Sequence, residues 1–197
     1  MDRAGLKAKA KKSIEGKVFT LFALFLLMSI AVAILTTITF GLGSIFLAGG
    51  VMMSTAFIFL GVVNSNRRPD IKDLMYGFKE KTYLSGLIGY LRYSIFTALW
   101  SLLFVIPGIV KGISYSMMFY IMVDHPTMDA GEAQKKSMAM TMGHKGELFV
   151  LYLSFIPWYL LTILTLGLAS IYVAPYMNST FALYYEGLKN KSPEKQE

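Results

Sequence analysis

From Val18 to Asn66 the chain runs for 49 residues without one Asp, Glu, Lys, Arg or His. A bilayer core of about 30 Å takes roughly 20 residues of helix at about 1.5 Å each, so the run is long enough to cross twice. Unpaired backbone amides are costly in hydrocarbon, which forces such a tract to pass through lipid as paired helical rods. Phe40-Gly41-Leu42-Gly43-Ser44 supplies the reversal, because glycine adopts turn dihedrals cheaply and weakens a helix. The run therefore reads as a membrane hairpin.

Composition points the same way. Hydrophobic residues make up 55% and charged residues 16%, against roughly a quarter charged in soluble domains. The formal charge of +7 is accounted for by lysine and arginine flanking spans on the cytoplasmic side, and no nucleic-acid motif accompanies it. With no cysteine, disulfides, thiolate metal sites and cysteine nucleophiles are excluded. Lys7 to Lys17 followed by Ala31-Val32-Ala33 resembles a signal peptide, but the apolar run passes through those alanines and outlasts a signal core of about 7–15 residues.

Before the first span, Leu6, Ala10 and Ile14 fall at a spacing of four among Lys7, Lys9, Lys11 and Lys12. That pattern fits an amphipathic helix lying on the inner membrane face, or a solvated basic tail. The first two spans run from Val18 to Thr39 and from Gly43 to Val63. Gly49-Gly50 in the second marks close helix packing or a local break. Pro69, Asp70 and Asp73 then suit a helix start, with Ile71, Leu74, Met75 and Phe78 on one face and Arg67 and Arg68 at headgroup level. A third span covers Tyr83 to Ile106 and a fourth Gly108 to Val123. Arg92 inside the third would cost roughly 2.5–3.5 kcal/mol at the bilayer centre. It either snorkels to the boundary or makes a buried polar contact, and no acidic residue lies in any span to pair with it.

Asp129 with Glu132 resembles a capping box, Gly143 a helix stop, and Ala130, Ala133, Ser137 and Met140 or Thr141 a small-residue face. His125 and His144 read as boundary residues, since no ligand constellation surrounds them. Leu148 to Tyr185 is again uncharged for 38 residues, divides at Leu164-Thr165-Leu166-Gly167, and carries Pro157 and Pro175 as expected kinks. Residues 188–197 read as a disordered cytoplasmic tail.

The expected fold is an all-α integral membrane protein of six transmembrane helices in three hairpins, each preceded by a short cytoplasmic amphipathic helix. Residues 1–187 form one membrane domain with repeat units near 2–63, 68–123 and 128–187. Glu15-Gly16-Lys17, Gly77-Phe78-Lys79 and Gly143-His144-Lys145 recur before the hairpins. Gly49-Gly50, Ser114-Tyr115 and Pro175-Tyr176 recur in their second spans, and Ser44–Ala48 is like Ser170–Ala174. Seventeen of the nineteen Lys and Arg lie on one side of this scheme, so both termini and the two long loops are expected in the cytoplasm.

Leu99-Trp100-Ser101-Leu102-Leu103-Phe104-Val105-Ile106-Pro107-Gly108-Ile109-Val110, Ser114-Tyr115-Ser116-Met117, Glu132-Ala133, Gly143-His144-Lys145, Leu153-Ser154-Phe155-Ile156-Pro157-Trp158 and Ala174-Pro175-Tyr176 resemble the bacterial membrane family called domain of unknown function 975. The Pro-Gly step followed by the Glu-Ala segment is more loosely similar to membrane domains of some glycerophosphodiester phosphodiesterases. The first resemblance implies a multi-pass protein of the bacterial cytoplasmic membrane with no established activity. The soluble phosphodiesterase domain of the second group has no counterpart here, and its chemistry is not carried over.

Three functions follow as expectations. The first is a non-enzymatic module binding membrane lipids or partner helices, as a homo-oligomer or with other membrane proteins, in an envelope, stress or transport system. Its candidate anionic-lipid contacts are Lys7, Lys11, Lys12, Arg67 and Arg68. The second is a small oligomeric transporter or channel for an anion or lipid-like substrate, with Arg92, Tyr115, Pro175 and Tyr176 as candidate intramembrane polar or pathway residues. The third, a lipid-acting enzyme, has only Asp124, His125 and Glu147 to draw on, and these read as loop and cap residues. No catalytic, metal or cofactor site is expected.

Overall fold

α1 (Arg3–Ile14) leads into α2 (Val18–Ile38), which reverses into α3 (Leu42–Ser65). A 3-10 helix (Ile71–Phe78) precedes α4 (Glu80–Leu103), α5 (Val105–Tyr115) and α6 (Met118–Asp124). α7 (Ala130–Thr141), α8 (Lys145–Leu153), α9 (Ile156–Leu164) and α10 (Ser170–Lys189) complete the order. This computed structural model describes residues 3–103 and 105–191, and no strand occurs among them.

Among the described residues, four stretches are long and apolar enough to cross a membrane: Val18–Ile38, Leu42–Ser65, Val105–Asp124 and Lys145–Leu164. These mark an all-helical membrane protein. α4 and α10, with 24 and 20 residues, have the length but not the hydropathy. Glu80, Lys81 and Arg92 interrupt the first, and Asn178, Glu186 and Lys189 the second.

The reversals fall where glycine places them, and two are built alike. Phe40 (φ 49°) and Gly41 (φ 92°) take left-handed dihedrals, as do Leu166 (φ 50°) and Gly167 (φ 92°). In each turn the glycine N–H reaches back to a threonine carbonyl, Thr36 at 2.8 Å and Thr162 at 2.7 Å, a Schellman closure of the preceding helix. The capping Thr39 and Thr165 hydroxyls each accept from the start of the next helix, from Gly43 at 2.7 Å and Ala169 at 3.0 Å.

Burial is graded along α3 and along α5 with α6. α3 is exposed at Leu42, Ile45 and Phe46 and buried at Met53, Ala56, Phe59 and Val62. α5 with α6 runs from exposed Val105, Ile106 and Ile109 to buried Ile113, Met118 and Ile121. α10 is buried at Val173, Tyr176, Phe181, Tyr184, Tyr185 and Leu188. The core thus gathers where these three helices lie close together, and the hairpin tips stand apart from it. α2 and α8 with α9 remain largely uncovered, with 17% of each apolar window buried.

α1, the 3-10 helix and α7 complete this core. Leu6, Ala10 and Ile14 are all buried, as their spacing of four predicts, but α1 packs along α10 and also touches α3. The 3-10 helix packs on α3, and α7 packs on α6, α4 and α5. Asp70 and Asp73 form a capping box at the start of the 3-10 helix, the Asp73 carboxylate accepting the Asp70 N–H at 2.9 Å. At the start of α7, Asp129 caps Gly131 at 2.7 Å without a reciprocal bond from Glu132.

Proline acts differently at its two expected kinks. The fifth helical stretch breaks at Ser154–Phe155, and Pro157 opens α9, where its missing N–H costs least. α10 continues through a buried Pro175. The first residues of the tail expected from 188 are helical instead: α10 extends through Lys189, with Leu188 buried and Lys189 bound to Asp124. Apolar burial and that ion pair hold the last turn. Residues 192–197 of the expected tail lie outside the described residues, as do residue 1 of the expected membrane domain, residue 2 of the first unit and residue 104 of the second.

Candidate functional site

The end of α1 meets the end of α3 across a cleft of about 630 Å³, lined by Lys9, Lys12, Ser13, Glu15, Gly16, Lys17, Val62, Val63, Asn66, Arg68 and Leu183. Four cations face one carboxylate there. Gly16 (φ 70°) ends α1 in a left-handed turn, which brings Lys17 beneath the helix. Lys17 is buried and donates to the Ser13 carbonyl at 3.1 Å and to the Asn66 side-chain oxygen. Burial, and then the nearby Arg68, hold its pKa below the usual lysine value. An anion in the cleft would favour the charged form of Lys17, so binding takes up protons at alkaline pH.

Of the five cations expected to contact anionic lipid, Lys12 and Arg68 line this cleft. Lys7 instead sits 4.5 Å over the Phe155 ring and donates to the Ser154 carbonyl at 3.3 Å, at the break between α8 and α9. Burial, followed by Arg3 and Lys11, lowers its pKa. Lys11 lies over Tyr176 at 5.7 Å. Arg67 pairs with Asp73 at 3.0 Å and lies over Phe57 at 5.1 Å. These three hold elements together through cation–π and ionic contacts. Sequence reasoning left out Lys9 and Lys17 as ligand contacts, and the glycine step at Gly16 was the signal available for the second.

The four candidate pathway residues fall into two clusters. Arg92 donates to the Gln134 side-chain oxygen of α7 at 3.2 Å and lies over Phe96 at 5.7 Å. The Tyr115 ring meets Tyr93 edge-on at 6.3 Å. Arg92 is therefore half-buried against α7. Tyr176 belongs to an aromatic group, lying 5.4 Å from Phe155, 5.6 Å from Trp158 and 5.8 Å from Tyr172, and Pro175 is buried before it in α10.

A smaller cavity of about 220 Å³ lies where α3, α6 and α10 converge, lined in part by Thr55, Tyr93, Ser116, Tyr120, Tyr152 and Asn178. None of the four candidate pathway residues lines it. His125 stands 3.5 Å from Lys136, and His144 lies 3.4 Å from Glu147. Asp124 accepts from Tyr185 at 2.7 Å and from Lys189 at 2.6 Å, which ties α10 to the end of α6.

No curated protein and no solved structure matches the chain significantly. A family model does match, over residues 1–111 and 102–192, and its description is "Protein of unknown function (DUF975)". With nearly the whole length covered, the chain belongs to the DUF975 family.

Proposed function

We propose that the chain is a non-enzymatic module of the bacterial cytoplasmic membrane whose basic cleft holds an anionic lipid headgroup of the inner leaflet. The cleft itself carries this reading: Lys9, Lys12, Lys17 and Arg68 converge on one opening beside the start of α2 and the end of α3. Each cation near an anionic leaflet adds about 1 kcal/mol. Lys12→Ala with Arg68→Ala is therefore expected to weaken the preference for phosphatidylglycerol over phosphatidylcholine vesicles by roughly thirtyfold at low salt. Co-flotation checks this, and an unchanged preference refutes the reading. Because the Lys17 pKa lies below the usual lysine value, the preference falls on the alkaline side before ordinary lysines titrate.

Six spans in a threefold arrangement frame the cleft. Three kinds of contact each recur three times, which supports that arrangement. Paired helices meet within each hairpin (α2 with α3, α4 with α5, α9 with α10). The first helix of one hairpin meets the second helix of the hairpin before it (α4 with α3, α8 with α5, α2 with α10). Each amphipathic element also docks on that preceding second helix (the 3-10 helix on α3, α7 on α6, α1 on α10). The alternating topology, with both termini cytoplasmic, is tested by single cysteines introduced at 42, 66, 110, 126, 166 and 190, free of native background. Labelling of 66, 126 and 190 from the cytoplasmic side alone, and of 42, 110 and 166 from the outer side alone, is expected. Labelling of 66 and 190 from opposite sides would refute it.

The hydroxyl-lined cavity between α3, α6 and α10 supports a second reading, a carrier for a small polar solute. Solute flux in proteoliposomes that responds to Tyr120→Phe favours this reading, and flux no greater than in empty vesicles removes it.

A further inference from the structure

Between α2 and the 3-10 helix runs an apolar groove of about 580 Å³. Leu27, Met28, Ala31, Val32 and Leu35 form one wall, Leu47 the floor, and Ile71, Leu74, Met75 and Phe78 the other wall. Lys72 is the one charged residue lining it. The lips are apolar and open: Ile71 is 57% and Met75 60% exposed. α2 is also among the least covered helices of the molecule.

We propose that this groove seats one acyl chain of an anionic phospholipid, with its phosphate on Lys72. This inference rests on the membrane reading above and is independent of the basic cleft. A groove with these walls gives water no partners, so it fills with hydrocarbon. A single cation at its edge selects a hydrocarbon chain that carries a negative group. An apolar partner helix about 10 Å across would cover the lips without answering the charge of Lys72, whereas a phospholipid satisfies both walls and charge.

Titrating the full-length chain in mixed micelles with phosphatidylglycerol or phosphatidylcholine, and counting bound lipid by native mass spectrometry, tests this. Lys72→Ala is expected to weaken phosphatidylglycerol about fivefold and phosphatidylcholine, whose phosphate is offset by its own choline cation, by less. Ala31→Trp, at an exposed position of α2, is expected to displace one lipid of either kind while leaving the melting temperature in place. Parent-like binding by either variant overturns the proposal. So does a shift to a higher oligomer on Ala31→Trp, which would identify the occupant as a second copy of the chain. Lys12→Ala with Arg68→Ala is expected to keep the lipid that Ala31→Trp displaces. Failure of the cleft and failure of the groove are thus read separately.

Discussion

Replacing Gly77 by alanine is expected to lower the stability of the detergent-solubilised chain by about 3 kcal/mol or more and to detach the 3-10 helix from α3. A Cβ at Gly77 would overlap the carbonyl oxygen and backbone of Gly50. Both obstacles are main chain, so no rotamer change relieves them, and the two elements must separate. Separation also opens the link through buried Ser54, whose hydroxyl accepts the Gly77 N–H at 2.9 Å and donates to the Leu74 carbonyl at 2.7 Å. Thermal unfolding and amide exchange over Ile71–Phe78 report the two effects. Gly146→Ala is the control: it has open space around it, lies in the first turn of α8, and should gain about 0.5–1 kcal/mol. If Gly77→Ala melts with the parent, the close crossing does not exist in the membrane protein.

That crossing also marks how far the sequence could be read. Helical periodicity gave the buried stripe of α1 residue for residue, because Leu6, Ala10 and Ile14 share one face whatever covers them. Glycine chemistry gave the reversals at residues 40–43 and 165–167, since left-handed dihedrals are a local demand. One stronger local signal went unused: Thr39-Phe40-Gly41-Leu42 and Thr165-Leu166-Gly167-Leu168 share one pattern, Thr-apolar-Gly-Leu, and they build the same turn. What stayed illegible was non-local. The sequence contains a surface for α1 to face but no marker that the surface is α10. Gly77 reads as a weak helix end until Gly50 is placed against it. Lys7 and Arg67 look like headgroup ligands until Phe155 and Asp73 claim them. Of the cleft cations, Lys9 and Lys17 were passed over for the same reason, since Lys9 nears Arg68 only when α1 meets the end of α3, and Lys17 only when α2 pairs with α3.

Introducing a carboxylate at Ala10 separates the two readings of α1. Ala10 is fully buried in the contact with α10, and a charge stranded there costs roughly 3–5 kcal/mol. Ala10→Glu is therefore expected to lower the melting temperature steeply and to admit trypsin at Lys12. Ala8→Glu, on the exposed face of the same helix, should stay within about 0.5 kcal/mol. A helix merely resting on the membrane surface would roll and present either glutamate to water, so equal melting of the two variants would return α1 to the interface. Docking has a functional consequence as well. Lys9 and Lys12 line the cleft only while α1 lies against α10, whereas Lys17 stays bonded to Asn66, so Ala10→Glu should also weaken the preference for anionic vesicles, although it removes no basic residue. Loss of fold and weakening of lipid preference in one variant, and neither in the other, would mean that the first helix closes the bundle and completes the cleft by a single contact.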